Sequence, residues 1–337
     1  MKLELNKRAL LQLVAGGLTF AALATSGAEA QETKLRLSHH LAPGHLVDVA
    51  SHRFADLVSE YTDGAVSVEV FPSGQIAGLR QGAEAVQLGT VDFVWTDMGT
   101  LGNWRPEYGF VSLPFLFSGN EHFAAFFDGE GGEKVAESLR RNLNIEVLGF
   151  GNAGFRVVAT RETPVREPAD LKGVRIRVPE IPIYISAFKS VGANPTPLAW
   201  GEVYTAMQTG VIDAVENPAE GLVNGALNEV AHHISKTNHI MTDVNLFANA
   251  GKFDALDAGE QDAIHRAAET ALAEFNDATA EASDEYWAQL AETMEAIDDP
   301  DRPAFQKAMA PVWDEFVARA GEPGQAWIDL VVAADPT

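Results

Sequence analysis

The chain has 337 residues, no cysteine, and 24 Lys+Arg against 48 Asp+Glu, with 46% hydrophobic residues. Such a chain can bury a sizeable core in one large domain or two ordinary ones, and without cysteine it has no disulfide staples, thiolate metal sites, iron–sulfur clusters or cysteine nucleophile. A formal charge of −24 argues against nucleic acid, whose phosphates demand Lys and Arg, and against an anionic membrane surface.

Lys2, Lys7 and Arg8 precede an apolar run from Ala9 to about Ala24, and Ala28-Glu29-Ala30 follows with small residues at both cleavage-determining positions. This is the build of a secretory signal peptide over residues 1–30, with cleavage expected after Ala30. The run is short of the roughly 20 residues that span a bilayer, and no cysteine follows it to carry a lipid. Cleavage takes three bases and two acids away and leaves a net charge of −25. No later stretch approaches a membrane span, so the expected product is a soluble periplasmic protein without direct membrane insertion.

Leu35 and Leu37 alternate with polar residues and predict a first strand; Val47, Ala50, Phe54, Leu57, Val58 and Tyr61 keep helical spacing after it. Val66–Phe71 reads as a second strand, residues near 79–88 as a short helix, and Val91–Trp95 as a third strand. Strands alternating with helices imply a parallel sheet with βαβ crossovers, whose ligands lie beyond the carboxyl ends of the strands. His39, His40, Thr96 and Asp97 fall at two such ends.

A second block repeats the grammar. Ile145–Phe150 and Phe155–Ala159 read as strands around a glycine-rich bend, and Val174–Val178 as a strand ended by Pro179. After Asn194-Pro195-Thr196-Pro197 a helix is expected to run to Gly210, then a strand over Val211–Val215 closed by Glu216-Asn217-Pro218. Further on, Asp257 and Glu260 form a capping-box pair before a helical stretch to about Ile297. About 38 residues at 1.5 Å each would make a rod near 57 Å, enough to lie across two lobes.

Gly149-Phe150-Gly151-Asn152-Ala153-Gly154 spells the dinucleotide fingerprint, but a strand-like Phe155–Ala159 follows where a helix must begin, so no nucleotide cofactor is expected. His232-His233 point apart and His39-His40 lack a partner at ligand spacing, so no metal is expected either, and His40 or its neighbour suits a bound solute better. Arg175 and Arg177 share one face of a strand. An arginine fork at a strand's end can hold a carboxylate through two charge-assisted hydrogen bonds, although chemistry alone favours a surface ion pair in so acidic a protein.

Taken in order, Phe71–Gln75, Gln87–Asp92, Leu113–Phe115, Leu171–Pro179, Gly192–Pro197, Glu202–Tyr204, Gln208–Gly210, Glu216–Pro218 and Thr237–His239 resemble the solute receptors of TRAP transporters, DctP type. The likeness covers essentially all of 31–330. It implies an α/β periplasmic binding protein fold of two lobes, mixed sheets flanked by helices, with a long C-terminal helix (about 257–297) spanning both. Lobe I would take 31–155, with part of 240–337 returning to it, and lobe II 156–240. The implied function is to bind a small organic acid and hand it to membrane subunits of DctQ and DctM type, without catalysis. By position in the family's motifs, Arg177 anchors the ligand carboxylate, Arg156 and Asn217 complete the clamp, Trp200 lines the cleft, and His40 and Asp97 present polar contacts that tilt the reading toward a sugar acid. Ile76-Ala77-Gly78-Leu79 departs from the family where relatives often carry acids, which puts contacts from that loop in doubt. The alternatives are a periplasmic oxidoreductase using the glycine bend, and a receptor that reports to a membrane kinase.

Overall fold

Ten strands assemble into one mixed sheet in a computed structural model that describes residues 33–336; the expected signal peptide lies outside the described residues. In chain order they are β1 (Thr33–Ser38), β2 (Val66–Phe71), β3 (Phe93–Thr96), β4 (Ile145–Thr160), β5 (Arg175–Val178), β6 (Asn194–Pro197), β7 (Ala214–Pro218), β8 (His233–Ser235), β9 (Met241–Asn249) and β10 (Glu295–Ile297). The main path runs β2-β1-β3-β9-β4-β7-β5-β6. The sheet is parallel where strands alternate with helices, in β2-β1-β3 and in β7-β5-β6. It is antiparallel where β9 and β4 cross the middle, which makes it the mixed sheet that the family resemblance implied.

β4 is the member common to both halves. Up to Phe155 it pairs with β9, and from Arg156 onward it pairs with β7. The glycine-rich segment is therefore not a bend between two strands; it lies inside one 16-residue strand, with register irregularities after Val147 and Asn152. Its glycines are set by packing. A Cβ at Gly149 would stand 2.3 Å from Leu272 Cδ1, and one at Gly151 would stand 2.4 Å from Val244 O.

Leu272 belongs to the Ala258–Ala291 helix, whose Asp257–Glu260 capping box forms as expected. Thirty-four residues make it about 51 Å long. Ile264, Ala268, Ala271 and Phe275 bury against the first half of the sheet, in one core with Phe54 and Trp95, and Leu290 joins the core of the second half with Val215 and Leu222. The helix stops short of Ile297, because Glu295–Ile297 pairs with β8 instead and Glu295 donates its amide to His232 O at 2.8 Å.

Two other departures bear on the site. Asn194–Pro197 is an edge strand on β5, the one place in a sheet where two prolines cost no ladder bond. Val211 is exposed, and the strand expected there starts later, at Ala214, so that Glu216, Asn217 and Pro218 are strand residues. The helix expected up to Gly210 is a 3-10 turn, Trp200–Glu202, followed by Val203–Gln208.

Candidate functional site

The carboxyl ends of β1 and β3 face the ends of β5 and β7 across a small cavity of about 70 Å³. All six residues singled out from the sequence line it: Arg177 from β5, Asn217 from β7, Arg156 from β4, Trp200 from the turn after β6, His40 just past β1, and Asp97 just past β3. A larger mouth of about 420 Å³ shares His40, Leu79, Arg177 and Trp200 with it.

The two strand arginines on one face of β5 have opposite fates. Arg175 is exposed and forks onto Asp213, the surface ion pair expected of an acidic protein. Arg177 is 4% exposed, and its Nε and Nη2 donate to Leu198 O at 3.0 and 2.8 Å. Its guanidinium lies 5.4 Å from the Trp200 ring centroid, within cation–π range. No carboxylate is within ion-pairing distance of it among the described residues. Burial, aided by the charge of Arg156, pulls its pKa down to about 10 against the opposing pull of Glu216, which leaves it cationic at neutral pH.

Arg156 is equally buried but already engaged. Its Nε and Nη2 both donate to the Glu216 carboxylate, and Nη2 also reaches Glu216 O at 2.9 Å. Its Nη1 donates to Thr242 Oγ1 at 3.2 Å, and Tyr184 stacks 5.0 Å away. Burial works against its charge, yet the Glu216 carboxylate holds its pKa above the usual value. Glu216, fully buried, keeps its charge by the same pairing and sits 3.4 Å from His239 Nε2. As a ligand group Arg156 thus offers little beyond Nη1.

The opposite wall is acidic. Asp97 caps the short Met98–Leu101 helix, accepting from the amide and hydroxyl of Thr100. Asp243 on β9 accepts from Met98 N at 2.7 Å and Asn245 Nδ2 at 2.6 Å. Burial and then the charge of Asp97 push Asp243 up to about 7, and burial raises Asp97 as well. Burial pulls His40 down to about 3, with His45 and His39 adding to it, so its imidazole is neutral, and neither of its nitrogens makes a hydrogen bond among the described residues. His39, by contrast, turns into the core against Asp48, with its Nε2 3.2 Å from Oδ1. The Asn217 amide makes no hydrogen bond among the described residues and packs tightly over Gly221, where a Cβ would stand 2.5 Å from Nδ2.

Sequence reading missed four members: His45, Glu220, Thr242 and Asp243. Asp243 could have been found as the lone acid in the apolar run Ile240–Ala248. Glu220 could not, since an acid in a helix's first turn is commonplace. Of the remaining motifs, Ser73, Gly74 and Tyr204 line the mouth, while Phe115 donates its amide to His239 O at 2.8 Å, tying two motifs together, and Asp92 accepts from Arg36 N and Lys252 Nζ.

Two half-sheets sharing strands and enclosing a cavity at their facing strand ends define a two-lobed solute receptor. The chain belongs to the DctP family of bacterial extracellular solute-binding proteins, family 7, whose model matches residues 37–320, and so is a TRAP-transporter solute receptor. It is 32% identical to the 2,3-diketo-L-gulonate-binding periplasmic protein YiaO of Escherichia coli, over 88% of this chain and 90% of that one. It is 30% identical to the C4-dicarboxylate-binding periplasmic protein DctP of Rhodobacter capsulatus, over 94% and 96%. The TRAP receptor of Sulfitobacter sp. NAS-14.1, solved with β-D-galacturonate, matches with a TM-score of 0.85 at 27% identity, covering 89% of this chain and 99% of that one. No helix among the described residues is long and apolar enough to cross a membrane. The fingerprint of the oxidoreductase alternative lies inside β4, with no helix N-terminus to meet a pyrophosphate.

Proposed function

We propose that the receptor is exported by a signal peptide cleaved after Ala30, works in the periplasm, and closes over a small hydroxylated acid whose carboxylate is anchored by Arg177. Lobe I in this reading takes residues 31–155 with part of 240–337, lobe II takes 156–240, and the acid passes to membrane subunits of DctQ and DctM type. The observation that carries the reading is the guanidinium of Arg177, buried at the cavity wall, resting on a carbonyl and an indole face, with no acid of its own. Leaving such a charge buried is expensive, and a solute carboxylate is what it lacks. Asn217 supplies an amide donor beside it, Arg156 one remaining edge, and Asp97 and His40 polar groups for hydroxyls.

An anion approaching a protein of charge −25 meets little repulsion, because the Debye length is about 8 Å near physiological salt and most of the acids lie farther away. At contact, each charge-assisted hydrogen bond contributes about 1.5–3 kcal/mol net. The local cation dominates. Calorimetry with uronates and aldonates tests this: Arg177→Ala should lose roughly 3–5 kcal/mol of binding, or two to four decades. Undiminished affinity in that variant would refute the anchor.

A further inference from the structure

Glu220 is the one carboxyl group of the cavity wall that comes from the second half of the sheet without a cation to balance it. It opens the Ala219–Asn224 helix three residues after Asn217 and is 5% exposed. Its Oε1 accepts from the amide of Leu46 at 2.7 Å, at the N-terminus of the Leu46–Tyr61 helix in the first half, and lies 3.4 Å from His45 Nδ1 and 3.5 Å from Asn224 Nδ2. Its Oε2 makes no hydrogen bond among the described residues. Neither arginine of the cavity pairs with it, unlike Glu216, and His45 is held neutral by burial at a pKa of about 3.

Counting charges around the cavity then gives an asymmetric result. One cation, Arg177, has no carboxylate partner; the other, Arg156, is spent on Glu216. Against them stand three acids, Asp97, Asp243 and Glu220, none with a basic side chain of its own. We propose that Glu220 sets the ligand class: its carboxyl group takes a hydrogen bond from a solute hydroxyl and bars a second carboxylate, so that the cleft accepts hydroxylated monocarboxylates and rejects dicarboxylates. This rests on Arg177 as the anchor, since one uncancelled cation matches one carboxylate, and the three acids are acceptors that a polyol supplies with donors. Burial lifts Glu220 to about 7, so it bars a second carboxylate where it is ionised, at about pH 8 and above, and gives that exclusion up by taking a proton at lower pH. The mouth does hold another cation, Arg80, but it pairs with Glu84 in its own helix and is 41% exposed, where charge is screened. The family spans both kinds of solute, so the distinction is one that this chain's own residues must make.

The test is calorimetric titration of the full mature protein with matched pairs: galactonate against galactarate, in which a second carboxylate replaces the terminal CH2OH, and glucuronate against glucarate, in which it replaces the aldehyde carbon. At about pH 8.5, where Glu220 is ionised, the wild type should favour the monocarboxylate of each pair by on the order of a hundredfold. Glu220→Gln keeps an acceptor for the Leu46 amide but removes the charge, and should narrow that ratio by about tenfold. Wild-type protein that binds galactarate or glucarate as tightly as its partner, with Arg177→Ala abolishing both, overturns the role of Glu220 and leaves the anchor standing. Binding that ignores Arg177 altogether overturns both. If the glutamine variant folds poorly, the wild-type ratio decides alone; if it folds and the ratio is unchanged, Glu220 is not the discriminator.

Discussion

Arg156 and Arg177 flank the same strand, β7, from opposite sides: Arg156 on β4 in register with Pro218, Arg177 on β5 in register with Val215. Both are nearly inaccessible and both stack on an aromatic ring. They differ in one respect. Arg156 holds an internal carboxylate, and Arg177 holds a carbonyl. The first arrangement is closed by the protein itself and ties β4 to β7; the second leaves a buried cation with no carboxylate among the described residues. Burial alone does not tell the two apart. The counter-charge does.

The comparison breaks most sharply under mutation. Removing one member of a buried ion pair strands the other, so Glu216→Ala should cost about 3–5 kcal/mol of folding stability in urea titration of the ligand-free protein. Arg177→Ala removes a charge that nothing balances, and should stay within about 1 kcal/mol of wild type in the same titration while losing its ligand. Equal destabilisation by the two would mean that Arg177 is structural as well, and the contrast would be gone.

A second, smaller effect separates the paired acid from the unpaired one through pH. Glu216 is held below the usual glutamate range by Arg156, although burial acts against it, whereas Glu220 rises to about 7 because burial outweighs the opposing hydrogen bond from the Leu46 amide. Between the unfolded value and 7 the folded state binds more protons at Glu220 than the unfolded chain does, so this group's contribution declines as pH rises. It is fully present below about pH 4.5 and lost through pH 7. The buried histidines, whose values are lowered, act in the opposite sense as pH falls below about 6.5, so the wild-type curve alone is ambiguous. The difference between wild type and Glu220→Gln isolates the term: relative to the variant, the wild type should gain about 1–3 kcal/mol from pH 8 to pH 5. A flat difference would show that Glu220 is ionised at both ends.

Much of this was legible in the sequence, for reasons that are local. Val66–Phe71 forms the strand its alternation predicts, and the capping box of Asp257 and Glu260 starts the long helix where it should. What failed was non-local. Asn194–Pro197 gives no strand signal in the sequence, because proline is hostile to ladders, and only the position at a sheet edge makes it a strand. The end of the long helix at Ala291 depends on β8 needing a partner, which no residue near position 297 announces. The six site residues could be placed by strand ends and family motifs, yet the distinction between Arg156 and Arg177 could not, because Glu216 is 60 residues from Arg156 and meets it only across the β4–β7 ladder. Glu220 was invisible for the same reason, its partner Leu46 being 174 residues away.

Finer tests act on the residues that shape the anchor without carrying charge. Gly221→Ala would bring a methyl within 2.5 Å of Asn217 Nδ2 and turn that amide away from the cavity. Affinity should fall by about 1.5–3 kcal/mol, the worth of a hydrogen bond to a charged group, while the helical position leaves folding stability near wild type. If Asn217 does not touch the ligand, affinity will not move. Smallest is the indole of Trp200, 5.4 Å from the Arg177 guanidinium. A ring face stabilises a cation by about 0.5–1 kcal/mol where water still reaches it, and Trp200 is only partly buried. Trp200→Leu keeps an apolar cover but removes the quadrupole, so the expected loss is two- to fivefold in affinity, read by calorimetry on the same acid. A far larger loss would mean that the ring contacts the body of the solute directly, which would place the solute at the mouth and not against Arg177 alone. Tyr184→Leu gives the matched control on the other arginine: with Arg156 locked by Glu216, its loss should touch stability and leave affinity within twofold.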